Sequence, residues 1–151
     1  RLDLLVNEFV YKELTVKYIT IFERKAVRNY SHIRDVADVF SFMVDNQVSY
    51  KGDIFNVGLS NANINKQQLA ELIKKYISDF AITYSDYYED PDKRDYIVSN
   101  EKIESTGWLP KYTLHDGIKE LIMAYQIIIN NDTSHFRNGF PLTYGAALWR
   151  Y

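Results

Sequence analysis

Arg28-Asn29-Tyr30-Ser31-His32-Ile33-Arg34-Asp35-Val36 is the stretch whose reading decides the fold. Its first six residues, 28–33, read as a short extended piece. From Arg34 the period changes. Val36, Val39, Phe40 and Met43 recur at spacings of three and four, which predicts a helix over 34–45 with those residues on its apolar face. Asp35 stands near the start, where a carboxylate complements the positive end of the helix dipole. An extended piece that feeds a helix directly is the building unit of an α/β chain.

The alternation continues on both sides. Towards the amino terminus, Leu2, Leu5, Val6, Phe9, Val10 and Leu14 predict a helix over 2–14, with Asn7, Glu8 and Lys12 outside. Residues 17–23 alternate and are rich in β-branched and aromatic side chains, which predicts a strand. Towards the carboxy terminus, Lys51-Gly52 marks a turn. Residues 53–58 read as a compact strand ending in Gly58, apolar on both sides of Asn56. Such a strand prefers burial on both faces, inside a sheet this chain is too small to complete. A helix over 66–77 turns Leu69, Leu72, Ile73 and Tyr76 inward, and a strand over 80–84 follows.

Residues 86–95 form a charged loop around Pro91. Residues 96–99 are extended, 100–103 are a small helix, and Gly107-Trp108-Leu109-Pro110 breaks the chain. The last long helix spans 115–130, with Ile118, Leu121, Ile122 and Tyr125 on one face. Residues 1–130 thus read as one unit and 131–151 as an aromatic tail, expected to be poorly ordered.

Composition narrows the function. With 151 residues, 46% hydrophobic and 25% charged, the chain has the profile of one folded domain. A net charge of −2 and a pI near 5.9 give no electrostatic footprint for nucleic acid or an anionic membrane. The absence of cysteine rules out disulfides, thiol chemistry and thiolate-bound zinc, and fits a reducing, cytoplasmic setting. His32, His115 and His135 lie far apart and show no metal-ligand spacing, so no metal site is expected. The chain opens Arg1-Leu2-Asp3-Leu4-Leu5-Val6-Asn7, straight into apolar periodicity and without Met, as a chain cut from a longer one does.

Three phrases carry a resemblance when taken together: the Arg28–Val36 stretch, Ile54-Phe55-Asn56-Val57-Gly58, and Asp90-Pro91-Asp92-Lys93-Arg94 followed by Lys102-Ile103, Gly107-Trp108-Leu109-Pro110 and Asp116-Gly117-Ile118. In this order and spacing, over residues 2–124, they resemble the C-terminal, substrate-binding half of extended short-chain dehydrogenases/reductases. The branch in question is the NAD-dependent nucleotide-sugar epimerases, dehydratases and decarboxylases. The resemblance implies a partial α/β fold: the substrate-binding subdomain plus the last Rossmann-type strand and helix. It also implies a parent enzyme with an N-terminal Rossmann half, bound NAD, a nucleotide-diphosphate-sugar substrate and a homodimer built largely by the other half. The parent's glycine loop and Tyr-x-x-x-Lys pair are not in this sequence. The chain alone is therefore expected to bind no NAD and to be inactive, its catalytic residues being none. A binding module or gene remnant that kept the fold is the alternative.

By the same resemblance the nucleotide diphosphate falls to Asn7, Arg28 and Arg94, with Lys93 in place of Arg94 if the loop shifts by one. The chemistry suits: a guanidinium offers a planar fork of donors to phosphate oxygens and keeps its charge. His32 reads as a structural histidine, Asn56 as a holder of backbone groups in the adjoining turn, and Trp108 as core. The strand at 53–58 and the helix at 2–14 each carry more apolar surface than the chain obviously covers, so self-association is expected.

Overall fold

The first helix, α1 (Leu5–Thr15), forms where the sequence reading puts it, because Val10 and Phe9 drive one face into the core. The computed structural model describes residues 2–85, 87 and 95–129. After α1, Lys17 takes a positive φ of 65°, which turns the chain sharply into β1 (Tyr18–Phe22). The remaining elements are β2 (Val27–Asn29), α2 (Ile33–Asp45), α3 (Gln47–Tyr50), β3 (Asn63–Asn65), α4 (Lys66–Lys74), β4 (Ala81–Ser85), α5 (Glu101–Glu104) and α6 (Leu114–Ile128).

Among the described residues the strands form two two-stranded sheets. β1 pairs with β4 in parallel, Ile19 beside Ile82, and β2 pairs with β3 antiparallel, Arg28 beside Ile64. A parallel pair needs a crossover, and the long excursion from β1 to β4 through α4 supplies it. Ile19 and Ile21 point into the main core with Val10, Leu69, Ile73 and Ile118. The opposite face of β1 carries Tyr18, Thr20 and Phe22, and there Thr20 and Thr83 share a hydroxyl hydrogen bond of 2.9 Å. α4 and α6 both start in reciprocal capping boxes, Asn65 with Gln68 and Thr113 with Asp116, which satisfy the free N–H groups of each first turn. A second, smaller core joins Val39, Ile103 and Trp108.

Several expectations are corrected. Residues 53–58 form no strand: no ladder pairs them among the described residues, and Ile54 is 84% exposed. They are held extended by Lys102 instead. Its Nζ donates to Ile54 O at 3.0 Å and to Asp53 Oδ1 at 2.9 Å, and it lies 4.5 Å above the Phe55 ring. Residues 96–99 likewise join no sheet, because Val98 gives its N–H to the Asn63 side chain. Phe40 is exposed rather than inward. Glu8 is buried rather than outside, since α1 packs against α6, β1 and α4, and Lys12 neutralises it at 2.9 Å from one turn on. Helix 66–77 ends at Lys74. The apolar face of α1 is covered after all; in residues 53–57, Phe55 and Val57 pack on the second core and Ile54 stays exposed. The tail 131–151 lies outside the described residues.

Glu13 sits on the inner side of α1, fully buried, and neither carboxyl oxygen has a hydrogen-bond partner among the described residues. Burial pushes its pKa from 4.5 to about 9, against the opposing pull of Lys74. The folded state therefore holds a proton that the unfolded chain releases above pH 4.5. Stability from this group is full below pH 4.5 and falls as pH rises towards 9. Glu13→Gln keeps the shape and removes the titration. Thermal unfolding should show a flatter pH profile between pH 4.5 and 9 and a midpoint at pH 8 raised by roughly 2–6 °C. An unchanged profile would assign the slope to other groups.

Candidate functional site

β2 carries Arg28 at its centre, and strand alternation sends its side chain to the face opposite Val27 and Asn29. The guanidinium lies 4.7 Å over the ring of Tyr96, and its Nη1 donates to Val27 O at 2.9 Å. A planar cation stacked on a ring is held in one orientation. Tyr96 is placed by the backbone: its N–H donates to Val27 O at 3.0 Å, while Val27 N–H donates to Asp95 Oδ1 at 2.9 Å. The chain leaving the charged loop is thereby tied to β2 one residue before Arg28. Tyr30, two residues on, has its hydroxyl buried without a partner among the described residues. Burial raises its pKa above the ordinary phenol value, and the charge of Arg28 pulls the other way.

A set of amides holds this region. Asn29 Nδ2 donates to Leu59 O at 2.8 Å and to Asn63 Oδ1 at 3.0 Å. Asn63 in turn donates to Val98 O and accepts from Val98 N, both at 3.0 Å. Leu59 N donates to Tyr30 O at 3.2 Å. Segments 27–30, 59–63 and 95–98 thus lock together by side-chain amides where no third strand pairs among the described residues.

The rest of the Arg28–Val36 phrase is structural. His32 caps α2 by accepting from Arg34 N at 3.2 Å, bonds Glu120 Oε2 through Nε2 at 2.8 Å, and stacks on Tyr112. Buried Asp35 accepts the N–H groups of Lys111 at 2.9 Å and Tyr112 at 3.1 Å. This fixes the segment after Pro110. Trp108 is core, its Nε1 donating to Asp38 at 2.9 Å. Asn56 does hold a backbone carbonyl, but that of Ser99 at 3.4 Å rather than one in the adjoining turn.

Of the four candidate binding residues, Arg28 lies on β2 and Asn7 on α1, both half-buried and both engaged in interactions. Lys93 and Arg94 lie outside the described residues. Tyr96 is the residue that sequence reading missed. Its signal was an aromatic directly after the basic loop, legible only once Arg28 is known to lie beside it.

No family model matches the chain. It is 32% identical to the dTDP-D-glucose 4,6-dehydratase of Bos taurus over 111 residues, 69% of this chain and 30% of that protein. It is 31% identical to UDP-D-apiose/UDP-D-xylose synthase 2 of Arabidopsis thaliana over 116 residues, 66% of this chain and 29% of that one. A structure of UDP-glucose 4-epimerase with UDP-glucose from Thermotoga maritima superposes with a TM-score of 0.67 at 24% identity, covering 83% of this chain and 40% of the epimerase. The dTDP-glucose 4,6-dehydratase of Bacillus anthracis, in complex with NAD, superposes with a TM-score of 0.60 at 24% identity, covering 84% and 40%. The chain is related to the extended short-chain dehydrogenases/reductases. It has part of their α/β fold, and it spans about 30% of the length of the curated relatives it matches.

The amide lock makes one sharp test. A Cβ on buried Gly58 would stand 1.9 Å from Asn29 Oδ1 and 3.5 Å from Asn100 Oδ1. Gly58→Ala should push Asn29 off both acceptors and cost about 2 kcal/mol or more in chemical denaturation. A loss below about 0.5 kcal/mol would show that Asn29 does not hold these segments.

Proposed function

We propose that this chain is the nucleotide-sugar-binding part of an NAD-dependent sugar epimerase or dehydratase. The observation that carries the reading is Arg28, a half-buried guanidinium stacked on Tyr96 where the charged loop returns to β2. Such a group presents oriented donors to a diphosphate. In this reading Arg94, or Lys93, adds a second cation from the loop, and Asn7 adds a hydrogen bond.

The intact enzyme would oxidise a sugar hydroxyl transiently, with NAD as the hydride acceptor, and act as an isomerase or lyase in the cytoplasm. The residues of this chain do not fit the dinucleotide: its six glycines form no GxGxxG, and it contains no Tyr-x-x-x-Lys. NAD binding, the sugar-activating pair and the homodimer would belong to a Rossmann half supplied by further polypeptide. What this chain does in the reading is bind and orient the nucleotide end of the substrate. Among the described residues no helix is long and apolar enough to cross a membrane, and no three metal-binding side chains cluster.

Calorimetry against UDP, dTDP, CDP and GDP tests the binding reading. One nucleotide diphosphate should bind weakly. Arg28→Ala should weaken it by roughly 10- to 100-fold. Arg28→Lys should be nearly as harmful, because an ammonium lacks the planar fork. Binding of none of the four, or an Arg28→Lys variant that binds like wild type, would overturn it. Activity is a separate prediction: the purified chain with NAD and nucleotide sugars should give no turnover, and any NAD-dependent conversion would contradict the division of labour.

A further inference from the structure

β1 and β4 run parallel and end at one edge, at Phe22 and Ser85. Ligands of α/β folds collect outside the carboxyl ends of parallel strands. At this edge the chain places Arg24, in the turn that leaves β1. Its guanidinium lies 5.2 Å over the ring of Tyr84, the next-to-last residue of β4. Tyr84 stands beside Ile21 in the ladder and is 39% exposed, whereas Ile21 is buried. The turn itself is pinned. Ala26 N donates to Glu23 O at 3.0 Å, Gln67 N to Arg24 O at 3.1 Å and Lys66 N to Ala26 O at 3.3 Å. The backbone that carries Arg24 is thus fixed against the start of α4.

The charge of Arg24 is what sets it apart. Arg34 lies over an aromatic ring too, that of Tyr112, but it also pairs with Glu120 at 2.6 Å. Arg24 is less exposed than Arg34, yet among the described residues no carboxylate pairs with it. A guanidinium held flat on a ring without a counter-ion has the chemistry of an anion site. Arg28 repeats the stack on Tyr96. The two tyrosines stand at the two ends of one loop, which leaves β4 after Tyr84 and returns to β2 at Tyr96. Arg24 and Arg28 are four residues apart in sequence, a chain span of at most about 14 Å.

We propose that Arg24 is a second fixed cation for the substrate diphosphate, working beside Arg28 and held for it by Tyr84. The inference rests on the nucleotide reading and goes beyond it. That reading takes its second cation from the charged loop, whereas Arg24 supplies one from the end of a strand. A diphosphate carries more negative charge than one guanidinium can match, and two planar forks fixed on rings meet it without first giving up side-chain freedom. Tyr84 is then a positioning residue: it acts through Arg24.

The test is calorimetry on the whole chain against UDP, dTDP, CDP and GDP, with inorganic pyrophosphate as a fifth titrant. Arg24→Gln should weaken the nucleotide that binds by roughly 10- to 100-fold, and pyrophosphate with it. Lys25→Ala removes the same charge from the same turn, at an exposed side chain, and should change binding by less than about 3-fold. Tyr84→Phe keeps the ring and should bind like wild type, while Tyr84→Leu should weaken binding several-fold. That pair decides the matter should Arg24→Gln fail to fold. An Arg24→Gln variant that binds like wild type while Arg28→Ala does not would overturn this inference and leave the nucleotide reading standing. Equal losses for Arg24→Gln and Lys25→Ala would overturn it as well, since net charge alone would then account for both. Pyrophosphate binding that depends on Arg24, with no nucleotide bound, would uphold the cation site and sink the nucleotide reading. A wild type that binds none of the five would overturn both.

Discussion

The site side of the fold hangs on one pair of half-buried amides, Asn29 and Asn63. They face one another at the end of a three-residue antiparallel ladder, too short to be stable alone. Their side chains do what additional strands would do. Asn29 takes the carbonyl of Leu59, and Asn63 takes both the carbonyl and the N–H of Val98. An amide offers donor and acceptor on one rigid plane, so it can stand in for a missing backbone neighbour. Gly58 lies against Asn29 because no side chain fits there. The positions of Asp95 and Tyr96, and through them the orientation of Arg28, follow from this clasp.

Two buried carboxylates show how the chain treats charge in different places. Asp35 is as buried as a core leucine, yet two backbone N–H groups meet its oxygens, so its burial holds a segment in place. Glu13 is buried among α1 contacts with no hydrogen-bond partner among the described residues, and burial keeps it protonated to high pH. The first arrangement adds order at little cost, because the charge is solvated by the protein. The second stores a pH-dependent penalty in the core.

Elements with their own amphipathic period were legible in the sequence. α1, α2, α4 and α6 form within a few residues of where spacing predicts them, and β1 and β4 likewise. His32 and Trp108 take the structural roles assigned to them. What sequence did not show is tertiary. Nothing in Glu8 announces that a same-helix lysine and three packed neighbours will bury it. Nothing in Tyr96 announces Arg28, because the pairing depends on the return of a loop across more than sixty residues. Residues 53–58 were misread for a clearer reason. β-branched and aromatic composition signals fitness for a pleated surface, but a strand also needs a neighbour to pair with.

That last mismatch and the outer face of α2 have the same physical origin. Local pattern commits both segments to burial: Ile54-Phe55-Asn56-Val57 by strand-type composition, and α2 by apolar residues around most of its circumference. Within the described residues each is covered on one side only. Phe55 and Val57 pack towards Val39 and Trp108, while Ile54 faces solvent. Val39 packs inward, while Phe40, the next residue, faces out. A single buried side suffices to fix each segment in place, because Lys102 and Asp38 supply polar ties where the packing ends. The second side of each stays exposed within the described residues. A strand-type segment and a helix that each stay open on one side are what a larger sheet would cover, and the chain spans about 30% of the length of the curated relatives it matches.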